Sequence, residues 1–418
     1  MKFQLFCLPT IPAADLDERA RLRPIGRNNE HYQAMIDELR ELVVMADDIG
    51  FDCFSTTEHH FHSEGFEASV QPMMIYADLA ARTRRISFAP LAMVLPANDP
   101  LRVAEQVAVL DHLTKGRVYG GFARGYQDRW SNILGQGVPV KGAPMDGGEV
   151  DKHNKAVHQE FTEIIYKAWT DDLLQHKGEY YQVPYPYEEG ITRWPAAPWT
   201  REYGQPGEVD ESGVIRGISV IPKPYQQPHP KAFQPFSVSE STIRYNAETG
   251  VMPIILVSHP ATFRRLAELY RDVAADFGRN LKLGEGLGAV RAVSFGDTEQ
   301  EAAERLRRTN YFGFHVYFSN FGFWEAMRFP EDDERYPRDP YTPLPPEEWT
   351  LDRFRNVKYG LAGTVDQVKR EIESLHKIHG DDGELEWFSW FFDQGMMPLD
   401  EAKRQLEIFG EHIIPEFR

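Results

Sequence analysis

Apolar positions along this chain alternate between two periods. Short runs of strand character at 2–8, 51–56, 86–95 and 117–122 are separated by stretches in which apolar residues return every three or four positions. Between about 31 and 49 that repeat is carried by Met35, Leu39, Leu42, Val43 and Ala46. Gly50 stands at its stop, and a helix is predicted. The same spacing predicts helices over about 70–83, 101–113 and 153–169. In the second half, strands are predicted at 214–221, 236–238, 252–257, 289–295 and 385–391. Helices are predicted at 241–249, 260–277, from about 298, at 364–378 and at 399–414. Thr298 with Glu301, and Thr364 with Gln367, have capping-box spacing, in which each side chain satisfies a backbone N–H that the first helical turn leaves open.

The sum is about eight β-then-α units. Helices of this length between strands imply parallel pairing. The fold class is therefore α/β. A (β/α)8 TIM barrel is favoured over an open doubly wound sheet because of where the period fails. Gly-, Pro- and aromatic-rich stretches at about 126–150, 178–213 and 311–350 follow strand ends or lie between units. Loop insertions at the C-terminal face are where such a barrel carries its active site. No internal repeat or low-complexity tract is seen, so residues 1–418 read as one domain with three insertions.

Composition narrows the partners. The chain holds 46 Lys+Arg against 64 Asp+Glu, a formal charge of −18. Nucleic acids and anionic membranes need basic patches, and this balance argues against both. Two cysteines, Cys7 and Cys53, make neither a disulfide framework nor a thiolate zinc site. No apolar run is long enough to span a bilayer, and the N-terminus lacks a signal-peptide core. A cytoplasmic setting is expected. With 26 Phe, 18 Tyr and 8 Trp, the chain has ample material for a large core or an apolar ligand pocket.

Three places carry candidate chemistry. The second strand runs into Thr57-Glu58-His59-His60-Phe61-His62-Ser63-Glu64. His60 and His62 fall on one side of an extended segment, as a metal pair would. A histidine here also suits acid–base work beside an organic cofactor, and an ordinary polar loop is the plain alternative. The fourth strand ends in Gly120-Gly121-Phe122-Ala123-Arg124-Gly125-Tyr126, where an arginine fork beside glycines suits an anion. Taken alone, Arg124 is better explained by a surface salt bridge. Val238-Ser239-Glu240-Ser241-Thr242 leads from strand to helix, a phosphate cradle or a simple N-cap. Gly284, Gly286 and Gly288 precede a strand, so no dinucleotide fingerprint is formed.

Taken together, these stretches resemble the bacterial luciferase-like flavin-dependent oxidoreductases. The likeness runs through Met1-Lys2-Phe3, Glu58-His59-His60-Phe61, Val94-Leu95-Pro96, Asp99-Pro100-Leu101-Arg102-Val103-Ala104-Glu105, Leu110-Asp111-His112-Leu113 and Lys115-Gly116-Arg117. It continues in Phe122-Ala123-Arg124-Gly125, Pro222-Lys223-Pro224, Gln227-Pro228-His229-Pro230, Ser241-Thr242 and Gly363-Thr364. The resemblance implies a TIM barrel. It gives His59 the catalytic role and Arg124, Ser239 and Thr242 the flavin phosphate. It also implies a non-proline cis peptide at Leu91-Ala92 beneath the flavin ring, with Phe6 and the backbone of Tyr126 near that ring. The chain departs from the commonest family pattern around 238–241, and 178–213 and 311–350 transfer nothing.

The function so implied is a flavin-dependent monooxygenase. It would use FMN as FMNH2, react it with O2 through a C4a-peroxide, and oxygenate a small apolar organic substrate. His59 would set the proton state, with Glu58 biasing it. A separate flavin reductase and a homodimer are the expected partners; no metal, nucleic acid or membrane is. The alternatives are an F420-dependent dehydrogenase on the same fold and a non-catalytic flavin-binding protein.

Overall fold

The computed structural model describes residues 1–143, 148–338, 340–393 and 395–418. The parts of the predicted insertions at 144–147 and 339 lie outside the described residues. The chain packs as two compact units: Met1–Ala92 with Lys231–Arg418, and Met93–Pro230.

In the first unit, strands Lys2–Cys7, Cys53–Thr56, Ser87–Pro90, Ala232–Ser237, Met252–Ile255, Gly288–Phe295, Gly360–Gly363 and Trp387–Phe392 pair in parallel. The N-terminal strand is central, with Gln4 opposite both Cys53 and Ser389. These strands are buried along nearly their whole length, so their residues read as continuous apolar runs. A helix follows most of them. Asn29–Ile49 is capped by the Asn28 side chain, which accepts from the N–H groups of Glu30 and His31. It ends at Gly50, whose φ of 109° an L side chain resists. Its Met35, Leu39, Leu42, Val43 and Ala46 are buried, the helix face that their spacing predicts. An aromatic layer anchors the other end of the chain: Phe409 stacks on Trp390 and Phe51, with ring centroids 4.6 and 5.3 Å apart.

In the second unit, strands Met93–Val94 and Gly120–Ala123 pair in parallel. Helices Pro100–Thr114 and Glu149–Thr170 carry the apolar faces. The Trp169 indole N–H donates to the carbonyl of Ala104, tying the second helix to the first.

The structure departs from the predicted elements in places. The run at 86–95 is two short strands interrupted at Leu91–Ala92. The predicted strand at 214–221 is only isolated pairings, Ile215 with Ile191 and Ile218 with Leu174, because the aromatic loop supplies no continuous partner. Strand Gly360–Gly363 was not predicted: three small residues around Leu361 carry no strand period, and pairing with Gly288–Phe295 makes it one. Helices Asp128–Leu134, Ala197–Tyr203 and Asn310–Val316 lie inside the predicted irregular stretches. The Thr364–Gln367 box forms as predicted. At Thr298 only half of it does, since Glu301 reaches the N–H of Asp297 instead.

Candidate active site

Strand Cys53–Thr56 ends where the chemistry begins. In extended chain, residues two apart share a side. Glu58 and His60 therefore meet on one side, His60 Nε2 lying 3.1 Å from Glu58 Oε1. Thr57 and His59 meet on the other, with Thr57 Oγ1 2.8 Å from His59 Nδ1. Glu58 thus has His60 as a partner.

The carboxylate that serves His59 comes from further along. The loop reverses through Phe61, Gly65 and Glu67, all with positive φ, and closes where the N–H of His59 donates to the carbonyl of Ser69. Gly65 is required there: a Cβ would sit 2.7 Å from Ile25 Cγ2. The reversal brings the buried Glu67 between two imidazoles, 3.4 Å from His59 Nδ1 and 3.6 Å from His62 Nδ1. The two rings stack at 5.8 Å, and His62 Nδ1 also lies 3.3 Å from the Tyr317 hydroxyl. Burial, then the neighbouring His60, pushes His59 down to about 3. His59 therefore rests neutral. His60 and His62 face different carboxylates. Among the described residues no group of three or more His, Cys, Asp or Glu is arranged to hold a metal ion.

Beyond Glu67 the first unit opens into a small cleft. Its walls are the rings of Phe66, Tyr317, Phe318 and Phe391, and its polar groups include Glu67 and Asp393. Phe66 and Tyr317 stack at 6.1 Å. Asp393 directly follows the last strand. Burial raises its carboxyl to about 7, although the N–H groups of Met396 and Met397 donate to it.

The other expected residues are placed as follows. Phe6 is buried against Phe391 and Phe236, at 5.3 and 5.2 Å, and so backs the cleft wall. Leu91–Ala92 is a non-proline cis peptide; both residues are buried, and the Leu91 N–H donates to the carbonyl of Thr56. Ser239 caps helix Glu240–Thr249, its hydroxyl accepting from the Thr242 N–H and lying 3.0 Å from Thr242 Oγ1 and 3.2 Å from Ser241 Oγ. In the second unit, Arg124 Nη1 donates to Asp151. The Tyr126 hydroxyl accepts from Gln127 Nε2.

Within the first unit, then, His59 and Phe6 sit behind residues that line the cleft, His59 behind Glu67 and Phe6 behind Phe391. The sequence reading missed Glu67, Asp393 and Tyr317. Asp393 had a usable signal, a carboxylate at the C-terminal end of a buried strand. Glu67 had none, since the loop reversal that delivers it has no period. Of the aromatics in the insertions, Phe314 and Trp324 pack inward among Phe354, Tyr359 and Trp349. Trp199 and Tyr203 pack on each other while largely exposed.

Comparison with known proteins gives this geometry a context. The family model for luciferase-like monooxygenases matches residues 1–382. The 3,6-diketocamphane 1,6-monooxygenase of Pseudomonas putida is 25% identical over 377 residues, 89% of this chain and 90% of that protein. Among solved structures, the oxygenating constituent of 3,6-diketocamphane monooxygenase from P. putida, a type II Baeyer–Villiger enzyme in complex with FMN, has a TM-score of 0.71. It is 21% identical and covers 100% of this chain and 99% of its own. The coenzyme F420-dependent tetrahydromethanopterin reductase of Methanopyrus kandleri has a TM-score of 0.59 at 16% identity, covering 100% of this chain and 99% of its own. These likenesses establish the fold as α/β, the (β/α)8 barrel expected from the order of elements. Among the described residues no helix is long and apolar enough to cross a membrane.

Proposed function

Because the chain belongs to the luciferase-like monooxygenase family, we propose that it is the oxygenase component of a flavin-dependent monooxygenase. It takes reduced FMN and O2 and inserts one oxygen atom into a small, largely apolar organic substrate. The observation that carries this reading is a neutral, buried His59, tied to Thr57 and to Glu67, whose side chain lines an aromatic cleft.

The residues fit a flavin in their chemistry. Three hydroxyls (Ser239, Ser241 and Thr242) cluster at the N-terminus of a ten-residue helix, a donor set suited to a phosphate. Phe6, Leu91 and Ala92 offer buried apolar surface for a ring. Arg124 is a further phosphate donor in this reading, with Asp151 orienting its guanidinium. Tyr126 contributes its backbone. When bound, reduced flavin supplies the two electrons that split O2, one atom going to substrate and the other to water.

The chain's own groups do the rest. A Nδ1–H aimed at Glu67 leaves the lone pair of His59 on Nε2. That atom accepts and returns a proton during oxygen transfer. A resting imidazole this hard to protonate carries no charge that would hold water in the site. Phe66, Tyr317, Phe318 and Phe391 line the cleft with rings and limit water, which would otherwise divert reducing power to peroxide. The reduced cofactor comes from a separate reductase, and the working assembly is a homodimer in the cytoplasm.

Anaerobic titration of the whole protein with reduced FMN and with reduced F420 tests the cofactor. Tight binding of FMNH2, followed on mixing with O2 and substrate by an oxygenated product, is the expected result. Binding of F420 alone, with hydride transfer, replaces the proposal with a dehydrogenase. Binding of FMN without any turnover leaves only a flavin carrier.

A further inference from the structure

The cleft beside Glu67 has a one-sided charge. Its lining contains two carboxylates, Glu67 and Asp393, and no lysine, arginine or histidine. The remaining walls are mainly aromatic, and ring faces attract cations as carboxylates do. The Oδ2 atom of Asp393 is buried and has no partner among the described residues. A buried acceptor left open costs free energy unless something donates to it. Charge, ring lining and open acceptor all select the same visitor.

We propose that this cleft binds an organic cation, a flat or cyclic apolar body bearing one protonated nitrogen, which donates to Asp393 while its body packs between Phe66, Tyr317 and Phe391. The proposal rests on the reading of the cleft as the substrate site, and it gives that substrate a charge. Glu67 is held by His59 and His62, so its charge adds attraction without being the direct acceptor. The nearest guanidinium to Asp393 is that of Arg308, already paired with Glu401 on the helix Leu399–His412. Cys7, on the first strand, is a further titratable neighbour, and burial with the Asp393 charge holds its thiol protonated, while the Glu401 carboxylate adds to the upward push on Asp393. A cation therefore meets no competing positive side chain in the lining.

The charge of Asp393 gives the binding a pH dependence of known sign. Its carboxyl titrates at about 7. Below that pH it is neutral and the attraction is lost; above it the attraction is full. Lys, Arg and His are absent from the lining among the described residues.

The test uses the full-length protein without flavin and three probes of one shape: benzylammonium, benzyl alcohol and benzoate. Calorimetric titration is expected to show benzylammonium binding about tenfold more tightly at about pH 8 than at about pH 6, as the ionised fraction of Asp393 rises. Benzyl alcohol should show no such rise, and benzoate should bind most weakly. Asp393→Asn should abolish the rise and weaken benzylammonium about tenfold at the higher pH. Equal affinity for the three probes, a preference for benzoate, or a rise that survives in Asp393→Asn would overturn the proposal. Should that variant not fold, the pH series on the natural protein decides alone. Because no flavin is present, the result does not depend on which cofactor the protein uses. Tight FMN binding beside a cleft that prefers benzoate would sink this inference and leave the oxygenase reading standing.

Discussion

His59 and His158 are both buried imidazoles, 4% and 5% exposed, and both sit far below the usual histidine range, at about 3 and about 4. Burial is the leading cause in each. Their neighbours differ. His59 has a hydroxyl and a carboxylate at Nδ1, and that carboxylate, Glu67, lines a cleft. His158 lies on helix Glu149–Thr170, beside the Arg124 guanidinium, with Phe122's carbonyl accepting one N–H and Nε2 without a partner among the described residues. A depressed pKa thus marks burial, and only the first histidine has the partners that reactivity needs. His59 is set up to pass a proton; His158 fills space behind a strand.

The largest effect should come from separating the two by mutation. His59→Ala should lower oxygen transfer by about 10²- to 10⁴-fold, the usual worth of a positioned acid–base group, with FMN affinity nearly unchanged. His158→Ala should keep turnover per folded molecule within about threefold while lowering stability by about 1–3 kcal/mol. Product formation scaled to folded protein measures both. A His59→Ala enzyme with more than about a tenth of full turnover, or a dead but folded His158→Ala enzyme, breaks the contrast.

The next effect is on stability against pH. A histidine whose folded pKa is depressed binds fewer protons folded than unfolded between the two values. Stability is then complete above the unfolded value near 6.5 and is lost as pH falls toward the folded one. For His158 the window runs from 6.5 down to about 4 and is worth on the order of 3 kcal/mol. His59, with a value of about 3, and His379, with a value of about 4, add their own losses in the same direction. Urea melts of the natural protein and of His158→Asn through this window should therefore diverge, the variant losing less. Parallel curves would mean that His158 is charged in the fold.

How far these regions were legible in the sequence depended on period. Gly50 and the Met35–Ala46 face read directly, because a helix repeats its contacts. His59 was legible through the neighbours on either side of it, and Ser239 and Thr242 through their place before a helix. The pairing of Glu58 with His60 follows from extended-chain alternation and could have been worked out. Glu67 could not, since three positive-φ residues decide where it points. Gly360–Gly363 failed for the opposite reason: its strand exists only through its partner.

Arg124 sharpens the comparison, because it is the cation beside His158. If it also holds a phosphate, Arg124→Ala should weaken FMN by about 1.5–3 kcal/mol, the worth of a charged hydrogen bond, and leave riboflavin, which has no phosphate, unaffected. It should also let His158 rise, since the guanidinium's repulsion is gone. Equal losses for FMN and riboflavin would assign Arg124 to the fold alone, through Asp151.

The smallest effect separates cap from cradle at Ser239. As an N-cap its hydroxyl accepts from the Thr242 N–H, and Ser239→Ala should cost the helix about 1 kcal/mol whatever else it does. A phosphate donor predicts more: a loss of FMN affinity of about five- to tenfold, again with riboflavin unchanged. Ser239→Asp pulls the two roles apart. Aspartate caps as well as serine, so thermal stability should return to that of the natural protein. Its charge would repel a phosphate, so FMN binding should fall below that of Ser239→Ala. If Ser239→Asp restores stability and FMN binding together, the hydroxyl cluster at 239–242 caps a helix and holds no anion.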